Sequence, residues 1–461
     1  MKKSSLPTCL LCLLGLLILL GCQPRIEKDS RRIPEVLEGE ELGASLKKRE
    51  AGKRSWQWWR LFKDPLLTQY IETALEDNFT LKQGFARLEQ AAFLAQQVAG
   101  DQYPTLDAKM QAGTKLTLSD ESAVDFSENL GLSLSWQADL WGGHAAARQA
   151  ALLDAQAEEE ALVELSLALS LEIAQTYYEL IEQSLLQKLV ARQIATNTQA
   201  QDLLLLGFAN GTATSADVLQ QKELLSSVKT QQPVLKARRA VLNNRLQVLL
   251  GHIPENKELS LSPGLPDLPP FPSLGISADL LLNRPDLRRL QHEVASADYR
   301  VAQVTSERLP DIKLGGTMGL NSSELLLSLF TEVLATVLDW DQNKHKLARQ
   351  QAKVRERMAA WSQAYLEVVA EVENNLAQER EQENIMQALE EQQQVAEALL
   401  EEVRRRYLHG QSDYLPVLSA FASLQKLERD RIRQQRILLS YRLQLYHALG
   451  GCSSQPLSSS L

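Results

Sequence analysis

Two long stretches without proline set the terms for any fold this chain adopts. No proline lies between Pro104 and Pro233, and none between Pro310 and Pro416. In the first stretch Trp141 and Gly211 stand 70 positions apart; in the second, Trp340 and Gly410 are again 70 apart. At about 1.5 Å per residue, an unbroken helix of that length is ~105 Å long. An ordinary globular domain has no use for such a rod.

The two stretches are copies. Trp141/Trp340, Glu172/Glu371, Gln183/Gln382, Gly211/Gly410, Val218/Val417 and Gly251/Gly450 pair at a constant offset of 199. Upstream the offset is 206, carried by Leu75/Leu281, Leu81/Leu287, Ala91/Ala297, Gln97/Gln303, Pro104/Pro310 and Gly113/Gly319. The change of offset falls between Gly113 and Trp141, so a loop lies there and is longer in copy 1. A period of about 200 residues exceeds any solenoid unit, so a whole half-protein is duplicated.

Each copy reads as helix, two strands, long helix, turn, shorter helix. Leu106, Ala108, Met110, Ala112, Leu116 and Leu118 alternate with Asp107, Lys109, Gln111, Lys115 and Thr117. After a polar turn over 119–127, Leu130, Leu132, Leu134, Trp136, Ala138 and Leu140 alternate with polar neighbours. One apolar and one polar face over some ten residues per strand suits a membrane β-barrel with a wet interior, or a half-buried sheet. Copy 2 repeats the pattern in Ile312, Leu314, Met318 and Leu320; from Leu325 to Trp340 the alternation blurs and fixes no register. Four strands do not close a barrel, and open edges are forbidden in lipid, so three chains with twelve strands are expected.

Leu162, Leu165, Leu169, Ile173, Tyr177 and Leu180 form a coiled-coil-like seam, with Glu158, Glu159, Glu160 and Glu164 expected on a solvated face. The shorter helices, Leu66 to Pro104 and Gly211 to Gly251, add to about the length of one rod if stacked end to end. Pro233 is expected to kink one of them. Six prolines within 252–275 mark an extended linker, a belt around the helices.

The N-terminus is an address. Lys2 and Lys3 precede an apolar run from Leu10 to Leu20, too short for a spanning helix. Leu19-Leu20-Gly21-Cys22 has the form of a lipobox, placing diacylglycerol on Cys22, and Gln23 rather than Asp favours the outer membrane. Cys9 and Cys12 leave with the leader, so only Cys452 remains and no internal disulfide forms. The six His are scattered, and no metal site or cofactor is expected. A formal net charge of −9 without a basic block gives nucleic-acid binding no support. Phosphate-loop, metalloprotease and nucleophile-elbow motifs are all missing, so no enzyme is expected.

Other motifs carry a family resemblance. They are Trp58-Trp59-x-x-Phe62-x-Asp64-Pro65-Leu66, Asn283-Arg284-Pro285-Asp286-Leu287, Tyr103-Pro104 with Leu309-Pro310, and the copy 2 run from Arg405 to Leu418. Together they resemble the TolC family of outer-membrane efflux channels, in the lipoprotein branch of OprM and NodT. The resemblance implies a mainly α fold with membrane β: a homotrimeric 12-stranded barrel, four strands per chain, continued by a long α-helical barrel through the periplasm. It also implies a periplasmic adaptor, an inner-membrane pump of the RND type and contact with outer-membrane lipid. The expected layout is signal peptide 1–21, lipidated extension 22–55, repeat 1 over 56–251, linker 252–275, repeat 2 over 276–451 and tail 452–461. Strands are expected near 105–140 and 311–340, and long helices near 142–208 and 341–408.

The same resemblance puts control at two helical tips. Gly211 and Gly410 are expected left-handed C-caps; Thr212, Thr214 or Ser215 caps the next helix in copy 1, and Ser412 or Asp413 in copy 2. Phe208, Asn210, Arg406, Tyr407 and Tyr414 belong to these tips. Asp217 and Tyr407 match family positions that tie neighbouring helices together. The family's basic partner is Ser412 here, with Arg404, Arg405 and Arg406 nearby, and its acidic ring is replaced by Pro416 and Ser419. Asp413 is the nearest candidate for a ring of carboxylates at the mouth. The expected function is a passive exit duct for small molecules. The alternatives are a type I protein or peptide secretion duct and a coiled-coil structural lipoprotein without a pore.

Overall fold

The computed structural model describes residues 57–117, 123–255, 257–269, 284–321, 324–334 and 340–450. The leader, Cys22, the lipidated extension, Asn283 and the tail lie outside the described residues. A short 3-10 turn, Trp58–Phe62, leads into α1 (Pro65–Asp77), α2 (Phe79–Gly100), β1 (Thr105–Thr117), β2 (Ala123–Ala138), α3 (Gly143–Ala209) and α4 (Ser215–Leu249). The second series is α5 (Pro285–Ser306), β3 (Asp311–Asn321), β4 (Glu324–Leu334), α6 (Gln342–Leu408) and α7 (Leu415–Ala448).

The two offsets of the sequence repeat reappear in the elements. Helices α2 and α5 each have 22 residues and start 206 positions apart. Helices α3 and α6 each have 67 residues and start 199 apart. These rods exist because good helix formers run on without proline and because shorter helices cover them.

The shorter helices meet end to end. Asp64 caps α1 by accepting from the N–H groups of Leu66 and Leu67. Asn78 caps α2 in the same way, and its Nδ2 donates to the Leu249 carbonyl at the end of α4 at 2.8 Å. In copy 2 the Arg284 guanidinium makes the equivalent link, donating to the Ala448 carbonyl at 2.6 Å. Each joint therefore satisfies orphan backbone groups of one helix with the cap of the next. Helix α4 continues through Pro233, which lies on its exposed side, where the carbonyl that loses its helical donor is open to solvation.

Gly251 closes the copy 1 joint. Its φ is +78°, and a Cβ there would stand 2.5 Å from the Asp77 carbonyl oxygen. Gly251→Ala therefore combines a left-handed backbone with a backbone clash and is expected to cost about 2 kcal/mol or more. Gly211, at φ +75°, has open space around the same position. Gly211→Ala should cost only about 1 kcal/mol. Thermal unfolding of the two variants side by side measures the difference.

The main core is built from α3, α4, α7 and the N-terminal aromatics. Ile173, Tyr177, Leu180, Leu246, Leu443 and Trp58 are fully or almost fully buried in it. The expected α3 seam divides: Leu169, Ile173, Tyr177 and Leu180 face this core, whereas Leu162 and Leu165 pack with Leu81 and Leu88 of α2. The proline-rich linker also belongs to it, since Leu259, Leu261, Leu265 and Leu268 pack on its edge.

The acidic face of α3 departs from expectation. All four glutamates are half-buried, and two of them, Glu160 and Glu164, pair with α5. Arg288 meets Glu160 at 2.6 Å, Arg289 meets Glu164 at 3.4 Å, and Arg300 meets Asp154. The charge alternation on α3 is matched by arginines about 130 residues away, which periodicity within α3 does not show.

The four strands form one antiparallel sheet in the order β1-β2-β3-β4. The hairpin between the first two is tighter than expected, because strand resumes at Ala123, opposite Thr117. The blurred segment of copy 2 becomes β4, with Leu327 opposite Met318 and Val333 opposite Ile312.

Candidate functional site: the sheet face and the helical tips

Register turns the alternation of each strand into one face of the sheet. Leu106 lies opposite Leu134, Leu134 opposite Gly316, and Gly316 opposite Leu329. Directly opposed residues share a face, so the apolar set runs unbroken across all four strands. Leu329 is 82 % exposed and Leu327 71 % exposed. A contiguous exposed apolar surface of this kind marks an interaction with lipid or protein. The other face is polar and knitted together. Thr105 and Ser135 hydroxyls are 2.8 Å apart, Thr317 and Ser328 are 2.6 Å apart, and Gln137 donates to Asp311 at 2.9 Å.

One aromatic interrupts the polar face. A Cβ on Gly315 would meet the Phe330 ring at 2.4 Å, so that ring occupies the space above the glycine backbone. Phe330 and Leu334 share this face, which is why the β4 alternation blurred in the sequence.

Trp136 and Trp141 tie the sheet to the helices, donating from their indole N–H groups to the carbonyls of Gln102 and Pro310 at 3.0 and 2.9 Å. Trp340, at the same place in copy 2, is 81 % exposed. No helix among the described residues is long and apolar enough to cross a membrane. The sheet is the element with lipid-facing chemistry.

At the far end of the rods the chain reverses twice, by one device. Gly211 and Gly410 have φ of +75° and +67°. The N–H of Thr212 donates to the Gly207 carbonyl at 2.8 Å, and that of Gln411 donates to the Arg406 carbonyl at 2.9 Å. Both bonds span five residues back across a left-handed glycine, which is the Schellman closure.

The helices that leave the tips start differently. In copy 1, Thr214 and Asp217 form a reciprocal capping box. Asp217 Oδ2 accepts from the Thr214 N–H at 2.8 Å and from its hydroxyl at 2.7 Å. The Asp217 carboxylate is therefore engaged by its own helix start. In copy 2 neither Ser412 nor Asp413 caps α7. The N-cap is Tyr414, in helical conformation and without a side-chain cap bond, and Pro416 fills the first turn. The Ser412 hydroxyl donates to the Asp413 carbonyl instead.

These observations describe a rod pair with a lipid-type sheet at one end and closed turns at the other, and comparison with known proteins assigns it. The family described as outer membrane efflux protein matches residues 70–252 and 276–451. The chain belongs to that family. Similar curated relatives include the solvent efflux pump outer membrane protein SrpC of Pseudomonas putida, 26 % identical over 98 % of both chains. The pyoverdine export outer membrane protein OpmQ of P. putida is 29 % identical over 86 % of this chain and 88 % of its own. Nodulation protein T of Rhizobium leguminosarum bv. trifolii is 24 % identical over 80 % of this chain and 81 % of its own. Among solved structures, VceC of Vibrio cholerae matches with a TM-score of 0.79 at 24 % identity, over 87 % of this chain and 100 % of that one. The Campylobacter jejuni CmeC channel matches with a TM-score of 0.80 at 18 % identity, over 88 % and 90 %. The fold is the outer-membrane channel fold, and the chain is an outer-membrane efflux protein with four strands for a shared barrel.

Within this efflux protein the tip residues divide into two groups. Phe208, Asn210, Arg406, Gly410 and Asp413 are exposed. Arg406 pairs with Glu402 on its own helix at 2.9 Å, and Arg405 with the same carboxylate at 3.2 Å. Tyr414 turns inward and is only 7 % exposed. Its hydroxyl donates to Gln221 Oε1 at 2.8 Å. Burial first, then the neighbouring Tyr407 and the Asp217 charge, push the Tyr414 phenol up to about 12, so it stays a donor at neutral pH. Tyr407 packs edge-on against it, with ring centroids 5.3 Å apart. Sequence reading missed the exposed apolar side chains beside the tips: Leu203, Leu206, Leu219, Leu408 and Leu415, all more than half exposed. The signal was there in copy 1, where Leu203 to Leu206 is apolar all round the helix.

Proposed function

We propose that the chain is the trimeric exit duct of a tripartite pump, receiving small apolar or amphiphilic molecules from an RND-type inner-membrane pump through a periplasmic adaptor. The sheet carries this reading. Its outer strands β1 and β4 have open edges, its apolar face is continuous, and such edges in lipid must pair with further copies. Cys22 supplies a lipid anchor at the outer membrane, and the barrel supplies the rest of the membrane hold. The exposed residues Phe208, Asn210, Gly211, Leu206, Leu408 and Gly410 form the adaptor-docking surface, because large apolar side chains at a helix end in water need a protein partner. The relatives named for solvent efflux support a cargo of small organic molecules over protein export.

In-cell crosslinking of the tagged full chain, followed by partner identification, tests the assembly. A trimer that brings down an adaptor and a proton-driven pump supports the proposal; an ATP-driven partner replaces it with protein or peptide secretion. In such a trimer three Asp413 carboxylates come together at the mouth, where like charges repel anions and hold cations. Asp413→Ala is expected to weaken block of the channel by divalent cations in planar bilayers. Unchanged block would show that Asp413 is an ordinary surface residue.

A further inference from the structure

One row across the polar face of the sheet ends in an aromatic ring. Thr105 lies opposite Ser135, Ser135 opposite Gly315, and Gly315 opposite Phe330. The hydroxyls of Thr105 and Ser135 are bonded to each other at 2.8 Å. In the next row away from the helices, Thr317 and Ser328 are bonded to each other at 2.6 Å. In the next row toward the helices, Gln137 donates to Asp311 at 2.9 Å, and Lys313 stands opposite Glu332, so positive and negative charge are matched there. The hydroxyls beside the ring are therefore engaged with one another. Phe330 itself stays 47 % exposed, and Leu334, four residues along the same face, 48 %.

With the apolar face against lipid, this polar face lines the lumen of the barrel. The space over Gly315 gives the ring a fixed seat. A side chain already held in place loses little freedom when a molecule settles on it. Twelve strands about 4.8 Å apart and tilted by about 40° enclose a barrel roughly 24 Å across between backbones. Three Phe330 rings in such a barrel line the passage and do not plug it.

The internal repeat shows that the ring is not something the sheet requires. Both hairpins pair in the same register, since the offsets of 206 and 199 carry Thr105 opposite Ser135 onto Asp311 opposite Leu334. Applied backwards, they carry Gly315 to Lys109 and Phe330 to Gly131, which again lie opposite each other. A Cβ on Gly131 would meet only the carbonyl oxygens of Lys109 and Met318, both at 3.9 Å. Copy 1 therefore pairs its strands with bare wall where copy 2 seats an aromatic ring. An apolar ring kept in a wet lumen, beside hydroxyls that already have partners, suits a solute that itself needs no hydrogen bond there.

We propose that Phe330, seated on Gly315, is a cargo-contact site inside the barrel, where uncharged aromatic molecules rest against the ring on their way out. The proposal rests on the trimeric duct reading. The test places purified full-length trimers in planar bilayers, with phenol as the probe and cyclohexanol, which has the same hydroxyl on a saturated ring, as the comparator. Phenol should reduce the wild-type current at a lower concentration than cyclohexanol does. Phe330→Ser should raise the half-blocking concentration of phenol by roughly threefold to tenfold. Phe330→Tyr, which keeps the ring, should respond as the wild type does. Phe330→Leu keeps an apolar side chain over Gly315, so trimers and conductance should persist while the preference for phenol over cyclohexanol disappears. That second variant carries the test if the serine variant fails to assemble. Phenol block unchanged from wild type in intact trimers of either variant overturns the site. Equal sensitivity of the wild type to both probes, or sensitivity to neither in a conducting trimer, also overturns it. Wild-type trimers that never conduct refute the duct reading itself.

Discussion

Replacing Arg442 by alanine is expected to destabilise the protein by about 3–5 kcal/mol, a large part of the stability of a typical domain. Arg442 is 4 % exposed and Glu379 is fully buried. The guanidinium Nε donates to Glu379 at 2.6 Å, and a second nitrogen donates to the Pro269 carbonyl, fastening the linker to α7. Deleting the arginine leaves a buried carboxylate without its cation. Burial pushes Glu379 above the usual carboxylate value even with Arg442 beside it, which lowers it, and Glu383 adds to the rise. The sign of the pH dependence follows. A carboxyl group with a raised folded-state pKa binds more protons when folded. Its stability contribution is complete below the unfolded value and is lost as pH rises through the folded value. Without Arg442 that folded value climbs further, so the deficit of Arg442→Ala should shrink as pH is lowered from neutrality toward the ordinary carboxylate range. Thermal unfolding followed by circular dichroism across that range checks both size and slope. The double variant Arg442→Met/Glu379→Leu should recover most of the loss, because it removes the buried charge together with its partner. A pH-independent deficit would mean that lost packing of the arginine stem, and not the bare carboxylate, dominates.

The architecture was largely legible because duplication wrote it twice. The offset of 206 delimits α2 against α5, and the offset of 199 delimits α3 against α6, so each copy checks the other. Alternation found β1, β2 and β3 because their apolar residues fall on one parity. It failed on β4, where Phe330 and Leu334 occupy the polar face; for Phe330 the reason is local, the bare backbone of Gly315 opposite it. The tip turns were legible from two glycines. The cap of α7 was not, because Tyr414 is held by Gln221 from 193 positions away in place of any local bond. The acidic face of α3 read as solvated for the same reason, since its arginine partners lie on α5. Residues that act through local backbone geometry announce themselves in sequence. Residues that act through a distant partner, such as Arg442 on Glu379, do not.

Trp58→Ala is expected to cost about 3–5 kcal/mol, as truncation of a large aromatic to alanine in a packed core does. The indole is fully buried, and its N–H donates to the Ser170 hydroxyl on α3 at 3.2 Å. Trp59 and Phe62 stand edge-on to it, each with centroids 6.0 Å away, and Phe62 touches Tyr178 on α3 and Tyr446 on α7. One short N-terminal turn thus fills the space where the two repeats meet. The expected result separates two origins of the effect. Trp58→Phe keeps most of the buried area and loses only the bond to Ser170, whose hydroxyl still donates to the Leu167 carbonyl. That variant should lose about 1–2 kcal/mol. If the two variants lose equally, the hydrogen bond is decisive and the cavity is not. Because the cluster contains side chains of α3, α4 and α7 together, the cavity loosens both repeats at once. Protease sensitivity of the alanine variant should therefore rise in helices of both copies, whereas Gly251→Ala should raise it only around the copy 1 joint.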